Sequence, residues 1–227
     1  MTTLFDKLRG WCGRADPIDE QRWVVLDVES SGLDAQRDRL LAIAAVAVRV
    51  HGGHASIALG DSFEVVLQQS ALPGLPDKPN ILLHGIGVAA QGQGTDPELA
   101  LQNLAQFVGS SPLVAFHAAF DQTLIERACQ AALGRKLPNA WLDLEPLAAV
   151  LFAQVKARAL DEWLAHFNIR CAVRHQAAAD ALATAELLLK LWPAWRRQQP
   201  HGGFLDARAL AAQRRWLPAH KGETGRS

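Results

Sequence analysis

The sequence predicts an α/β fold, a mixed sheet flanked by helices. Three observations carry this: an early run of apolar strands with a hairpin signal, a later strand that passes directly into a helix, and a second half that reads as helical throughout. Residues 22–28 (RWVVLDV) form a short Val-rich run ended by Ser-Ser-Gly, the pattern of a strand stopping at a turn. LLAIAAVAVRV at 40–50 breaks at His51-Gly52-Gly53-His54 and resumes as ASIALGDSFEVVL at 55–67, which predicts a three-stranded antiparallel meander. The alanines of the second strand run against this, since alanine is a poor strand former.

Residues 68–80 are rich in proline and polar groups and read as loop, and 87–95 (GVAAQGQGT) reads as a second flexible stretch. At Asp96-Pro97 a helix begins, with Asp as cap and Pro at the first helical position, and Leu99, Leu101, Leu104 and Phe107 follow near helical spacing. PLVAFHAAF contains a strand at 112–117 and leads into the helix DQTLIERACQAAL. Further helices are expected near 143–155, 159–167 and 177–192, the last closed by Pro193 and Pro200. One more, with a basic face, is expected within 204–217.

The chain has 227 residues, 49% hydrophobic and 20% charged, which suits one large domain with a real core. Formal net charge is zero, so the whole molecule lacks the footprint of a protein that coats nucleic acid by counterion release. The charge is uneven: from Leu191 onward seven bases face two acids, leaving that segment at +5 and the body at −5. Cys12, Cys129 and Cys171 are odd in number and show no paired spacing, so they read as reduced thiols. Charges interrupt the N-terminus where a signal peptide needs an apolar run, and no stretch approaches the ~18–20 apolar residues of a membrane span, so a cytoplasmic protein with no membrane partner is expected.

Four carboxylates and one imidazole stand out. Asp27 and Glu29 lie two apart at a strand end, a spacing that puts both on one face, although an ordinary turn also begins this way. Asp121 stands where strand gives way to helix and reads equally as a cap, for which Thr123 with Glu126 forms a rival capping box. His175 and Asp180 are five apart, about 140° round a continuous helix, so they face one point only if His175 precedes the helix. Together these groups match what two hard divalent cations need, since Mg²⁺ or Mn²⁺ prefer oxygen ligands and a pair about 3.5–4 Å apart can clamp an in-line phosphoryl displacement. A histidine titrating near neutrality suits the proton of the attacking water.

In order and context, VVLDVESSGL, AFHAAFDQTLI and RHQAAADALATAELLL resemble the three motifs of DEDDh-type 3′–5′ exonucleases, in particular the group typified by the epsilon proofreading subunit of bacterial DNA polymerase III. The resemblance spans residues 20–192 and divides the chain into an N-terminal extension (1–19), an exonuclease domain (20–195) and a basic C-terminal extension (196–227). It implies the ribonuclease H-like fold, a mixed five-stranded sheet with helices on both sides. It further implies Asp27, Glu29, Asp121 and Asp180 as metal ligands, with Glu29 and His175 in the chemistry. Ser30, Ser31 and Leu33 beside the first motif, His84 in the apolar ILLHGI segment, and His117 are implied as weaker substrate contacts, and Asp143 matches an aspartate that members often keep. Two departures are Ser30-Ser31 where Thr is common, and His117 where Asn is usual.

The function implied is removal of nucleotides from a nucleic-acid 3′ end, single-stranded DNA favoured, as 5′ monophosphates. Its alternatives are RNA 3′-end trimming and a non-catalytic nucleic-acid-binding module. A polymerase assembly and a free-standing enzyme are both open, and the seven tryptophans read as core rather than as stacking platforms.

Overall fold

A computed structural model describes residues 17–69 and 85–216. Five strands build one sheet: β1 (Arg22–Ser30), β2 (Leu40–His51), β3 (His54–Val66), β4 (Leu113–Ala115) and β5 (Trp141–Asp143), in the order β3-β2-β1-β4-β5. β1, β2 and β3 are antiparallel, whereas β4 runs parallel to β1 and β5 parallel to β4. The helices are α1 (Val88–Gly92), α2 (Pro97–Val108), α3 (Ala119–Leu133), α4 (Leu144–Leu151), α5 (Leu160–His166), α6 (Ala177–Gln198) and α7 (Phe204–Ala211), followed by a 3-10 turn, Ala212–Trp216. The mixed five-stranded sheet flanked by helices is therefore the fold. The His-Gly-Gly-His hairpin forms as expected, with Gly52 and Gly53 both at positive φ (56° and 82°), which matches the twist of the strands it joins.

Alternation along β1 splits the core in two. Trp23 and Val25 face one layer with Val46, Val48, Trp163, Leu187, Leu191, Trp195 and Phe204. Val24, Leu26 and Val28 face the other, with Ile43 of β2 and with Leu101, Leu104, Leu124 and Ile125 from α2 and α3. By the same period of two, Asp27 and Glu29 point to the Trp23 side, the side α6 covers. The alanines of β2 have their reason here. Ala44, paired with Asp27 across the ladder, packs on Ala177 and Ala181, so the start of α6 lies close against the sheet.

Several expectations need correction. Helix α6 runs through Pro193 to Gln198, because Trp192, Ala194 and Trp195 on either side of the proline are buried and tertiary packing outweighs the one lost hydrogen bond. Thr123 and Glu126 form no capping box: α3 already starts at Ala119, and Thr123 Oγ1 donates to the Ala119 carbonyl at 2.7 Å. Glu126 instead accepts from Gln122 and Lys136, both at 2.6 Å. The strand expected over 112–117 is only Leu113–Ala115, and β5 lies where no strand is expected, since three residues show no alternation to read, while the helix expected from 143 starts one residue on, at Leu144.

Asp96 caps α2 by accepting from the Glu98 and Leu99 amides at 3.0 and 3.2 Å. Three of the seven tryptophans, Trp23, Trp163 and Trp195, are at most 1% exposed, which makes them core. Beyond α6 the chain returns to the body: Phe204, Ala207, Leu210 and Ala211 of α7 are buried, and Phe204 meets Trp23 edge-on at 5.0 Å. Residues 70–84, including His84, lie outside the described residues. No helix among the described residues is long and apolar enough to cross a membrane.

Candidate active site

The four carboxylates come from three elements that meet at the C-terminal end of β1. Asp27 and Glu29 are half-buried on the strand, whereas Asp121 and Asp180 are only 4% and 5% exposed. Asp121 arrives from the opposite face. Because β4 pairs with β1 only at Val24 and Val25, the β4-side edge of β1 is open beyond Leu26. The Asp121 carboxylate faces that opening, where the backbone amides of Val28 and of Asp121 itself favour its charged form. A strand of three residues followed at once by a helix is thus what delivers this side chain.

The turn into α3 is strained. His117 adopts a left-handed φ of 58°, and its amide donates to Asp143 Oδ1 at 3.0 Å. Non-glycine residues seldom adopt this conformation, and Asn and His are among those that do so most readily. That explains why His117 can stand where Asn is usual. Asp143 also caps α4 through the Glu145 amide at 3.1 Å, so it braces the Asp121 turn against the next element.

Asp180 lies in the first turn of α6, and its Oδ2 accepts from the His175 amide at 3.0 Å. His175 is exposed, stands in the loop two residues before the helix, and has a φ of 61°. The geometric condition for His175 and Asp180 to address one point is therefore met. Two of the three described non-glycine residues at positive φ, His117 and His175, flank this cluster, where strained backbone is often functional.

The first-motif loop is internally braced. Ser30 Oγ donates to the Gly32 carbonyl, and Ser31 Oγ donates to Asp38 Oδ1 at 3.0 Å while accepting from the Arg39 amide at 2.9 Å. Asp38 also takes the Asp34 amide at 2.7 Å, and a Cβ on Gly32 would meet its carboxylate at 2.5 Å, so a larger residue there would displace Asp38 from these bonds. The serine hydroxyls hold the turn, and Leu33 projects from it, 92% exposed.

Electrostatics follow from the crowding. Burial pushes Asp27 well above the usual carboxylate range, with Asp121, Asp180 and Glu29 adding to it and Arg174 opposing. Glu29 is raised to about 7, by burial and then by Asp180, again against Arg174. Asp121 rises to about 8, chiefly through burial, despite its two amide donors. Such a cluster is costly without positive charge. Its all-oxygen donors suit Mg²⁺ or Mn²⁺. Among the described residues, however, no three acidic, His or Cys side chains already close around one point.

A residue that the motifs did not single out reaches into the cluster. Arg174 donates through Nη1 to Asp180 Oδ1 and through Nε to Asp161. Cys171 Sγ sits 3.4 Å from the same Asp180 oxygen. Only the adjacency of Arg174 to His175 could have flagged it in the sequence.

The sequence profile of the family described as Exonuclease matches residues 24–188. The DNA polymerase III PolC-type protein of Clostridium perfringens is 32% identical over 176 residues, 78% of this chain and 11% of that protein. A DNA polymerase III subunit epsilon-like protein of Rhodobacter capsulatus is 32% identical over 184 residues, 78% of this chain and 25% of its own length. The chain therefore spans a quarter or less of these relatives. Among solved structures, E. coli exonuclease I in complex with a dT13 oligonucleotide superposes with a TM-score of 0.65 at 15% identity, over 80% of this chain and 43% of that one. With the profile covering both sheet and cluster, this chain belongs to the exonuclease family.

Proposed function

We propose that the chain is a metal-dependent 3′–5′ exonuclease that hydrolyses single-stranded DNA ends to 5′ mononucleotides. The observation that carries this is the convergence of four mutually destabilising carboxylates at one end of the sheet, an arrangement a binding module has no use for, since it repels phosphate as well as itself. Asp27, Glu29, Asp121 and Asp180 would hold two divalent cations. When bound, such ions supply Lewis-acid stabilisation of the attacking and leaving oxygens.

The chain's own groups do the rest. His175, exposed on a loop tied by its amide to Asp180, stands ready to take the proton of the attacking water. Asp143 and the left-handed turn at His117 keep Asp121 aimed at β1. Leu33, on its rigid turn, offers an apolar contact for the terminal nucleotide. The 3′ direction and single-stranded substrate rest on kinship with polymerase III PolC-type and epsilon-like proteins and on a fold shared with exonuclease I bound to an oligonucleotide. That kinship also makes a polymerase assembly the candidate partner.

The test uses 5′-labelled single-stranded DNA and RNA with Mg²⁺, Mn²⁺ or EDTA. A ladder shortening from the 3′ end on DNA, abolished by EDTA and by Asp27→Asn, is expected. Shortening of RNA alone would move the substrate to RNA, and no shortening under any metal would defeat the proposal.

A further inference from the structure

We infer that Arg174 is a displaceable internal counter-ion of the carboxylate cluster, one that competes with the catalytic cation for Asp180. The inference rests on the proposed metal role of the cluster and adds a residue that this role leaves unassigned.

Arg174 sits on the loop between α5 and α6, directly before His175. Its guanidinium forks between Asp161 at the start of α5 and Asp180 at the start of α6, and its side chain is 27% exposed while that of Asp180 is 7% exposed. Among the described residues, Arg174 is the cation named with the leading influences on both Asp27 and Glu29, and it opposes the rise that burial and neighbouring carboxylates impose. One guanidinium therefore compensates three carboxylates. The Asp180 oxygen it occupies, Oδ1, is also the one Cys171 Sγ approaches, while Oδ2 is held by the His175 amide.

A divalent ion held by Asp180 and this guanidinium could not both be close to Asp180 Oδ1, because like charges in a poorly solvated site repel strongly. Asp161 supplies the way out. At 64% exposure it is in contact with water, so Arg174 can let go of Asp180 while keeping its outer bond. The protein thus folds with a neutralising group in place of an ion and exchanges it on loading. The exchange lowers apparent cation affinity, and it keeps the metal-free cluster from repelling itself apart.

Mn²⁺ binding to the full chain by calorimetry, with metal-free melting in EDTA, tests this. Arg174→Gln is expected to bind Mn²⁺ about three- to tenfold more tightly, the scale of one partly exposed charge pair. Its metal-free melting temperature should fall by about 2–6 °C. Should that variant be too unstable to titrate, Arg174→Lys carries the test. It keeps the charge but loses the fork, and tightening of about two- to threefold is expected. Unchanged or weaker Mn²⁺ binding in these variants would make Arg174 a scaffold for Asp180 and overturn the inference alone. No Mn²⁺ binding by the wild type would overturn the metal reading together with it.

Discussion

Asp27 concentrates the problem this protein solves, because it is a carboxylate on a core strand with three more carboxylates in its field. The sign of the pH dependence follows. Asp27, Glu29 and Asp121 all have folded-state pKa values raised above ordinary ones, with Glu29 near 7 and Asp121 near 8. Between about pH 4 and pH 8 the folded state therefore holds protons that the unfolded state has released, and stability declines as pH rises. In EDTA the melting temperature is expected to fall from pH 5 to pH 8, and Asp121→Asn, which removes one buried charge, should flatten that slope and be the more stable protein at pH 8. Calorimetry at fixed ionic strength reads both. Cation affinity runs the other way, rising with pH as the ligands ionise. For catalysis, Asp27→Asn is expected to lower turnover of labelled single strands by on the order of 10³-fold, the loss of several kcal/mol of charge stabilisation.

At the scale of elements, the decisive contact is the seat of α6 on β2 and β1. Ala44, Ala177 and Ala181 are 1%, 6% and 1% exposed, and together they let the first turn of the helix approach the strand that carries Asp27. Ala181→Leu should cost about 1–3 kcal/mol by overpacking. It should also weaken Mn²⁺ binding, since Asp180 is moved with the helix. Chemical denaturation and calorimetry measure the two effects, and a stability loss with unchanged Mn²⁺ affinity would mean the seat does not position the ligand.

The same contact shows what the sequence could and could not disclose. The gathering of Asp27, Glu29, Asp121 and Asp180 at one end of the sheet was legible because ordered motifs surround them, and the loop position of His175 because no helix could serve both it and Asp180. The alanines of β2 read only as weak strand formers, since their partner lies more than a hundred residues away. Arg174 was invisible for a related reason: its meaning depends on Asp161 and Asp180 meeting across two helix starts. Pro193 misled because a local rule cannot see Trp192 and Trp195 buried beside it.

At the scale of the whole molecule, charge and packing are intertwined in the C-terminal segment. Its bases invite a role in holding the strand, but deleting it would also remove Phe204, Ala207, Leu210 and Ala211 from the core that contains Trp23. A deletion would report unfolding rather than electrostatics. Phe204→Ala alone should cost about 3–5 kcal/mol. Position argues further: Arg197 stands seventeen residues along α6 from Asp180, about 25 Å at 1.5 Å per residue. Arg197 and Arg208 are both exposed, so their charge can be reversed without disturbing the core. Arg197→Glu/Arg208→Glu is expected to change hydrolysis of a four-nucleotide strand by less than about twofold, because both charges lie at the surface, where salt screens them over a Debye length of ~10 Å, and Arg197 stands well beyond that from Asp180. A strand long enough to reach that end of α6 should show the same salt slope in the variant as in the wild type if the segment serves only packing. A slope reduced by about one to two per pair of lost phosphate contacts would instead assign the segment to the strand.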